Sequence, residues 1–291
     1  MKRAIKDLVS GWGVAETTPE TEGLLCELRT SERQLLGRLR GLGTREASAF
    51  LWCLVAKGVP EACNWDSSAT LDELCLRACA LRGGLEGGPE RLVMRERARV
   101  AMHATSLPPA PLRDPADLLA LWDEATFAEP VIHQRVDQPR WRMREDGLPF
   151  TGMAAAWLRG PRPLEPGRQT ADPEDIPALV AELIDFIATS SLAPEVAAAH
   201  VPHIVFYIHP FVDGNGHTGR MLMCDLLARA GVSAPTLVSY VGVVRARAQE
   251  CSKLMPTCLL GEATAEDLVR FQLRALAEAQ TRATHLLDSY A

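Results

Sequence analysis

The sequence reads HPFVDGNGHTGR from His209 to Arg220, and this stretch decides the fold and chemistry to be expected. His209 follows an apolar run and precedes Pro210, and proline disfavours helical geometry in the residue before it. The imidazole is therefore predicted at the end of a helix, facing a loop. With an ordinary pKa near ~6.5, such a histidine can take a proton from a hydroxyl group at neutral pH.

The second half of the stretch has the composition of an anion site. Asp213 is a hard oxygen ligand that suits Mg²⁺. Gly214, Asn215 and Gly216 open a predicted helix, where glycine permits close backbone approach and the first N–H groups have no partner within the helix. Together with the helix dipole, these groups predict a phosphate site. Arg220 lies one turn into the helix, in reach of the outer phosphates of a donor.

This order and spacing resemble the signature of the Fic (Fic/Doc) family, His-Pro-Phe-x-Asp/Glu-Gly-Asn-Gly-Arg-x-x-Arg. The chain matches every fixed position except one, because His217 stands where the family has its first arginine. The resemblance extends upstream to an apolar helix that contains His203, and downstream to a helix predicted to end at Gly231. It implies an all-α Fic fold, a helical bundle with a small β-hairpin flap, plus a helical N-terminal region.

The resemblance also implies roles and a reaction. His209 would deprotonate a Ser, Thr or Tyr hydroxyl on a target protein, and Asp213 would hold Mg²⁺. The donor phosphates would lie against Gly214, Asn215, Gly216, His217 and Arg220. The family's usual reaction transfers AMP from ATP, and some members move UMP, a phosphoryl group or phosphocholine. We therefore expect a protein adenylyltransferase-like enzyme that uses Mg²⁺ and ATP or another nucleotide.

Two departures from the family pattern bear on the donor. A neutral imidazole at His217 lacks the permanent charge of an arginine, which removes transition-state stabilisation. Where the family often has a tyrosine pair near the nucleotide base, the aligned residues are Glu250 and Cys251. A slower AMP transferase, an enzyme for another donor, and a degenerate domain that binds nucleotide or peptide all fit this pattern.

The clustered histidines suggest a rival transition-metal site. Its ligands would come from His200, His203, His209, Asp213 and His217. No two histidines stand at i, i+4 on one helix, as in zinc motifs, so this hypothesis is the weaker one. For His200 and His203 we expect packing or capping roles instead.

Composition bounds the class of protein. With 291 residues and 47% hydrophobic content, the chain can bury a substantial core. The net charge of −6 gives no basis for nucleic-acid binding, and no apolar run approaches the ~20 residues of a membrane span. Eight cysteines in apolar contexts are typical of buried thiols in a cytoplasmic protein, and a secreted effector stays open. The sequence does not indicate the oligomeric state.

We predict three regions along the chain: a helical N-terminal region over 1–105, the Fic domain over 115–255 and a C-terminal helix over 256–291. Helices are predicted from Arg29 to Arg40, Glu46 to Lys57 and Leu71 to Leu81, from Asp175 onward, and from Thr264 to Leu287.

Two further segments have specific predictions. Residues 140–150 contain Asp146-Gly147, a hairpin-turn signal, and would form the flap that pairs with an extended target segment. Thr18 to Gly23 fits the family's inhibitory form Ser/Thr-x-x-x-Glu-Gly, so Glu22 would pair with Arg220. The alternative is that Glu22 is an ordinary acidic residue in the first turn of a helix.

Overall fold

A computed structural model describes residues 18–56, 89–106, 112–126, 171, 175–211, 214–251, 253–254 and 264–290. Over these residues the regular structure is helical, with no β-strand, so the prediction of an all-α fold is confirmed. The helices are α1 (Pro19–Arg40), α2 (Thr44–Ala56), α3 (Pro89–Thr105), α4 (Pro115–Thr126), α5 (Ile176–Thr189), α6 (Pro194–Ile208), α7 (Asn215–Arg229), α8 (Ala234–Ala246) and α9 (Ala265–Tyr290). The predicted flap at 140–150 and the predicted helix over 71–81 lie outside the described residues.

The described residues fall into two compact units. The motif unit contains those between 108 and 226 and between 249 and 271, and the second unit contains those between 18 and 107, 227 and 248, and 272 and 291. The predicted division at 105, 115 and 255 stays a prediction. No helix in the described ranges is long and apolar enough to cross a membrane.

Helices α5 and α6 pack against each other in the motif unit. Helical periodicity predicts an apolar stripe on α5, and four of its residues are completely buried: Ile176, Leu179, Val180 and Leu183. The last two residues of the stripe, Phe186 and Ile187, are half-buried. In contrast, α6 buries nearly its whole circumference, as expected for a helix that is apolar all round. The helix that carries His209 at its end is therefore held on every side.

Helix α7 ends as its sequence predicts. Gly231 has a φ of +93°, the left-handed conformation that glycine adopts without a steric penalty. Its N–H donates to the Ala228 carbonyl at 3.0 Å, and the Val232 N–H donates to the Leu227 carbonyl at 2.9 Å. This pair of hydrogen bonds is the Schellman arrangement, which satisfies carbonyls that the helix leaves open.

In the second unit, α8 packs against α2 and α3. A buried carboxylate fixes the start of α8. Glu32 of α1 accepts hydrogen bonds from the Ser233 N–H at 2.7 Å and the Thr236 hydroxyl at 2.8 Å. It also accepts one from the Gln280 amide of α9 at 2.6 Å. A residue about 200 positions away in the chain thus caps α8, a role that the sequence did not suggest.

The capping residues of α1 and α9 are local. Thr18 precedes α1, where its hydroxyl accepts from the Thr21 N–H at 3.3 Å, so α1 starts ten residues before the predicted Arg29. At the start of α9, the Thr264 N–H and hydroxyl donate to Asp267 at 2.9 and 2.8 Å, and the Asp267 N–H donates back at 3.3 Å. Thr264 and Asp267 thus form a reciprocal capping pair.

Candidate functional site

His209 terminates α6 with a left-handed backbone. Its φ of 49° and ψ of 54° place it in a region that residues with a Cβ atom rarely occupy. Its N–H donates to the Val205 carbonyl at 2.8 Å, which closes the last turn of the helix. The predicted position at a helix end is confirmed. Backbone strain of this kind is held only where the surrounding structure imposes it, and it is frequent at functional sites.

The imidazole of His209 is buried, with 3% of the residue exposed. Its Nδ1 lies 3.3 Å from the Phe206 carbonyl oxygen. Because a carbonyl only accepts, this hydrogen bond requires the proton on Nδ1 and leaves the basic lone pair on Nε2. The main chain of α6 thus selects the tautomer that a general base needs.

A side-chain clamp shapes the loop that follows. The amide group of Asn215 accepts from the Phe211 N–H at 3.1 Å and donates to the Phe211 carbonyl at 2.8 Å. The Phe211 ring is completely buried and stacks on Trp122 of α4, with ring centroids 5.2 Å apart. The side chain of Asn215 therefore holds the loop, and the phosphate role of its backbone N–H at the start of α7 stays a prediction.

The start of α7 presents its first N–H groups next to this loop. Gly214 precedes the helix with a φ of 85°, a conformation suited to glycine. The Thr218 N–H and hydroxyl both donate to the Gly214 carbonyl, at 2.9 and 3.0 Å. Gly216, the second residue of the helix, is exposed. At the helix start, the Gly214 carbonyl is therefore occupied by hydrogen bonds from Thr218, while Gly216 is accessible to solvent.

Arg220 lies over this helix start. A Cβ atom built on Gly216 would be 3.5 Å from Arg220 Nη1, so the guanidinium folds back along α7 towards the first turn. This brings a permanent cation beside the N–H groups of the helix start, the combination that anion sites use. His217 is half-buried at the third position of the same helix. Asp213, the predicted Mg²⁺ ligand, lies outside the described residues.

Cys251 lies within electrostatic range of Arg220. Burial raises the pKa of the Cys251 thiol, the charge of Arg220 opposes that increase, and the charge of Glu250 adds to it. A thiol with a raised pKa is a poor nucleophile, which favours a packing role. Cys251, which the family resemblance places near the nucleotide base, is thus close to Arg220, which the resemblance places at the phosphates.

His200 and His203 form a buried pair in α6. Their Nδ1 and Nε2 atoms are 3.3 Å apart, and the residues are 0% and 3% exposed. The Phe186 ring meets the His200 ring edge-on. This is the packing role expected for both residues. Among the residues that the structure describes, no three His, Cys, Asp or Glu side chains form a group suited to a metal ion.

This pair predicts a loss of stability in acid. Burial lowers the pKa of His200 to about 4, and burial together with His200 holds the pKa of His203 well below its ordinary value. The unfolded chain takes up protons near ~6.5 while the folded chain does not, so stability falls as the pH drops from ~6.5 towards the folded value. His200 alone would account for about 2 kcal/mol between pH 7 and pH 5. Urea titrations at both pH values measure the loss in the free energy of unfolding. This loss should be smaller in His200→Gln than in the wild type by the same amount, and equal losses would refute the prediction.

Glu22 lies in the first turn of α1, on its exposed side. Its neighbour Glu20 pairs with Arg274 at 2.6 Å within the second unit. Arg220 belongs to the motif unit, so the pairing of Glu22 with Arg220 stays a prediction. The alternative is that Glu22 is an ordinary acidic residue stabilised by the helix dipole. Its position in a first turn agrees with this alternative as well.

The inhibitory hypothesis has a matched pair of variants. If Glu22 restrains Arg220, Glu22→Gly should raise donor transfer about tenfold, whereas Glu20→Gly should leave transfer unchanged because Glu20 pairs with Arg274 instead. Transfer is measured as the mass added to the chain per unit time. Equal effects of the two substitutions would show that the charge or the helix, and not a specific pairing, is responsible.

Three residues that support the site were missed from the sequence. Trp122 stacks under the motif loop from a helix 89 positions earlier, a relation with no local signal. Thr218 and Gly219 occupy two of the three variable positions of the motif. A glycine inside a helix costs about 1 kcal/mol relative to alanine, so Gly219 itself was a signal of close packing.

Comparisons with known proteins agree with this description. The family model of the Fic/DOC family matches residues 162–227, inside the predicted range of 115–255. The chain is similar to the protein adenylyltransferase Fic of Drosophila persimilis, with 54% identity over 43 residues, or 15% of this chain and 8% of that protein. The Drosophila willistoni protein of the same name is 41% identical over 68 residues, or 22% of this chain and 14% of that protein. The chain therefore spans only a small part of these relatives.

A solved structure supports the fold. A Fic family protein from Desulfovibrio desulfuricans G20 superposes with a TM-score of 0.57 at 20% identity, covering 93% of this chain and 75% of that one. A likeness at this identity bears on the fold alone. Together with the family match and the motif geometry, it leads to one conclusion: this chain contains a Fic domain of the Fic/DOC family.

Proposed function

We propose that this protein is a Fic-type transferase that moves a nucleoside monophosphate from a nucleotide donor to a Ser, Thr or Tyr hydroxyl of a target protein. The observation that carries the proposal is the pairing of two features. His209 has its tautomer fixed at the end of α6, and Arg220 folds over Gly216 at the start of α7. One feature supplies a base and the other an anion cradle, and the first residue of α7 follows His209 by six positions in the chain.

The proposed reaction balances through these residues. The target hydroxyl oxygen forms a bond to the α-phosphorus of the donor, and His209 Nε2 takes the hydroxyl proton. The bond between the α-phosphorus and the bridging oxygen breaks, and pyrophosphate leaves with that oxygen. The N–H groups of Asn215 and Gly216 stabilise the charge that develops on the α-phosphate, and Arg220 orients the outer phosphates.

The residue types of the motif also fit a divalent cation. A carboxylate at Asp213 together with donor phosphates is the ligand combination that Mg²⁺ prefers. When bound, the ion would neutralise phosphate charge. The target segment would bind at the flap near 140–150, which stays a prediction.

A second function from another class is a nucleotide- or peptide-binding module without catalysis. The observation that favours it is His217, which replaces a permanent cation at the third position of α7 with an imidazole. The positions of His209 and Arg220 favour catalysis, since a binding module has no need of a tautomer-selected base.

The test is intact-mass spectrometry of the full chain after incubation with Mg²⁺ and, separately, ATP, GTP, CTP, UTP or CDP-choline. Self-modification removes the need for a known target. A mass increase equal to a nucleoside monophosphate supports the proposal and identifies the donor, whereas added phosphocholine would show a transferase of another group. Nucleotide binding without added mass from any donor would support the binding module instead.

The substitution His217→Arg separates a weakened AMP transferase from an enzyme for another donor. A guanidinium at this half-buried helix position adds a charge-assisted phosphate contact, so transfer from ATP should rise about tenfold to a hundredfold. His217→Lys is the control, because an ammonium restores charge without the planar fork of arginine. Loss of transfer from a different preferred donor would show instead that His217 selects that donor.

A further inference from the structure

Gly219 of α7 lies close against the main chain of α6 at Pro202. A Cβ atom built on Gly219 would lie 3.0 Å from Pro202 Cα, 3.3 Å from the Pro202 oxygen and 3.5 Å from Val205 Cβ. The first two distances are shorter than ordinary van der Waals contacts, and both involve main-chain atoms. A rotamer change therefore cannot relieve them.

The main chain at Pro202 has little room to yield. Pro202 is buried within α6, a helix buried on nearly every side and packed against α5. Proline also lacks the N–H that would bond the Ala198 carbonyl, yet the helix continues through it to Ile208. A side chain at Gly219 would therefore increase the separation of α6 and α7.

The two helices that meet here carry the two halves of the site. His209 is the cap of α6, seven residues beyond Pro202, and the anion cradle is the first turn of α7, directly before Gly219. Arg220, the next residue, moves with α7. The separation of base and cradle thus depends on how closely the helices approach, while the cradle and Arg220 form a single rigid piece.

We infer that Gly219 is a positioning residue: its missing side chain sets the distance between the base His209 and the phosphate cradle of α7. The inference rests on the proposed function and adds a role for a variable position of the motif. A bound donor would still meet an intact cradle in a Gly219 variant. Its α-phosphorus would be displaced from the hydroxyl that His209 activates.

The test is a size series, Gly219→Ala and Gly219→Val, in the full chain. A displacement well under an ångström already costs rate, so transfer should fall about fivefold for alanine and about fiftyfold for valine. Affinity for an ATP analogue that cannot be cleaved at the α-phosphorus, measured by calorimetry, should stay within about threefold, since the cradle moves as one piece. A purely structural role would lower affinity, stability and rate together.

The control series is Gly37→Ala and Gly37→Val in α1, an exposed helical glycine with nothing within 4 Å of a built Cβ. These variants should transfer at the wild-type rate. The inference is overturned if the Gly219 series keeps the wild-type rate, or if affinity falls in step with rate.

A wild type that transfers no donor would refute the proposed function but not this inference. In that case, the inference is tested by comparing crystal structures of the wild type and Gly219→Val. An increased separation of His209 Nε2 from the Gly216 nitrogen supports the inference, and an unchanged separation overturns it.

Discussion

Replacing His209 with asparagine is expected to lower donor transfer by about 100- to 10,000-fold, the usual contribution of a general base. Asparagine is the informative substitution because His209 has a left-handed backbone, with a φ of 49°. Asparagine tolerates that conformation better than other residues with a Cβ atom, whereas alanine would add backbone strain to the loss of the base. The rate is measured as mass added to the chain over time, with the preferred donor.

Nucleotide affinity in His209→Asn should remain close to that of the wild type, because the cradle and Arg220 lie on α7 and the base lies on α6. His285→Asn, at an exposed position of α9, is the matched control and should transfer normally. Transfer within about threefold of wild type in His209→Asn would remove the general base from the proposed reaction.

Replacing Glu32 with alanine is expected to lower the free energy of unfolding by about 3–5 kcal/mol. The carboxylate accepts hydrogen bonds from the Ser233 N–H, the Thr236 hydroxyl and the Gln280 amide, and only 6% of Glu32 is exposed. Its removal leaves these buried donors without their acceptor, and each such group costs about 1–3 kcal/mol. Urea denaturation followed by circular dichroism measures the loss.

Two controls separate the network from the loss of a charge. Glu27→Ala removes an exposed carboxylate from the same helix and should change stability by less than about 0.5 kcal/mol. Glu32→Gln keeps the volume and one acceptor oxygen, so its loss should be intermediate. Equal stabilities of Glu32→Ala and Glu27→Ala would show that the three hydrogen bonds contribute nothing measurable.

The features that could be predicted from the sequence depend on neighbours in the chain. The end of α6 at His209 follows from Pro210, the end of α7 follows from Gly231, and the start of α9 follows from the Thr264 and Asp267 pair. The inward stripe of α5 follows from helical periodicity. In each case, steric preference or hydrogen bonding within about six residues selects the conformation, so the local sequence is sufficient.

The features that escaped prediction join distant parts of the chain. Trp122 supports Phe211 from α4, and Glu32 of α1 caps α8. Some local details were missed as well. The Asn215 side chain bonds both the N–H and the carbonyl of Phe211, and a residue type alone does not show which partner its side chain will bond.

The sequence by itself thus predicted a Fic domain, the helices around the motif and the residue types of the proposed donor site. Only the tertiary structure decided which nitrogen of His209 is basic, where the guanidinium of Arg220 lies, and how closely α6 and α7 approach at Gly219. The physical reason is that helix boundaries depend on consecutive residues. The distance between a base and a phosphate cradle depends instead on how whole helices pack, and one missing Cβ atom can set that distance.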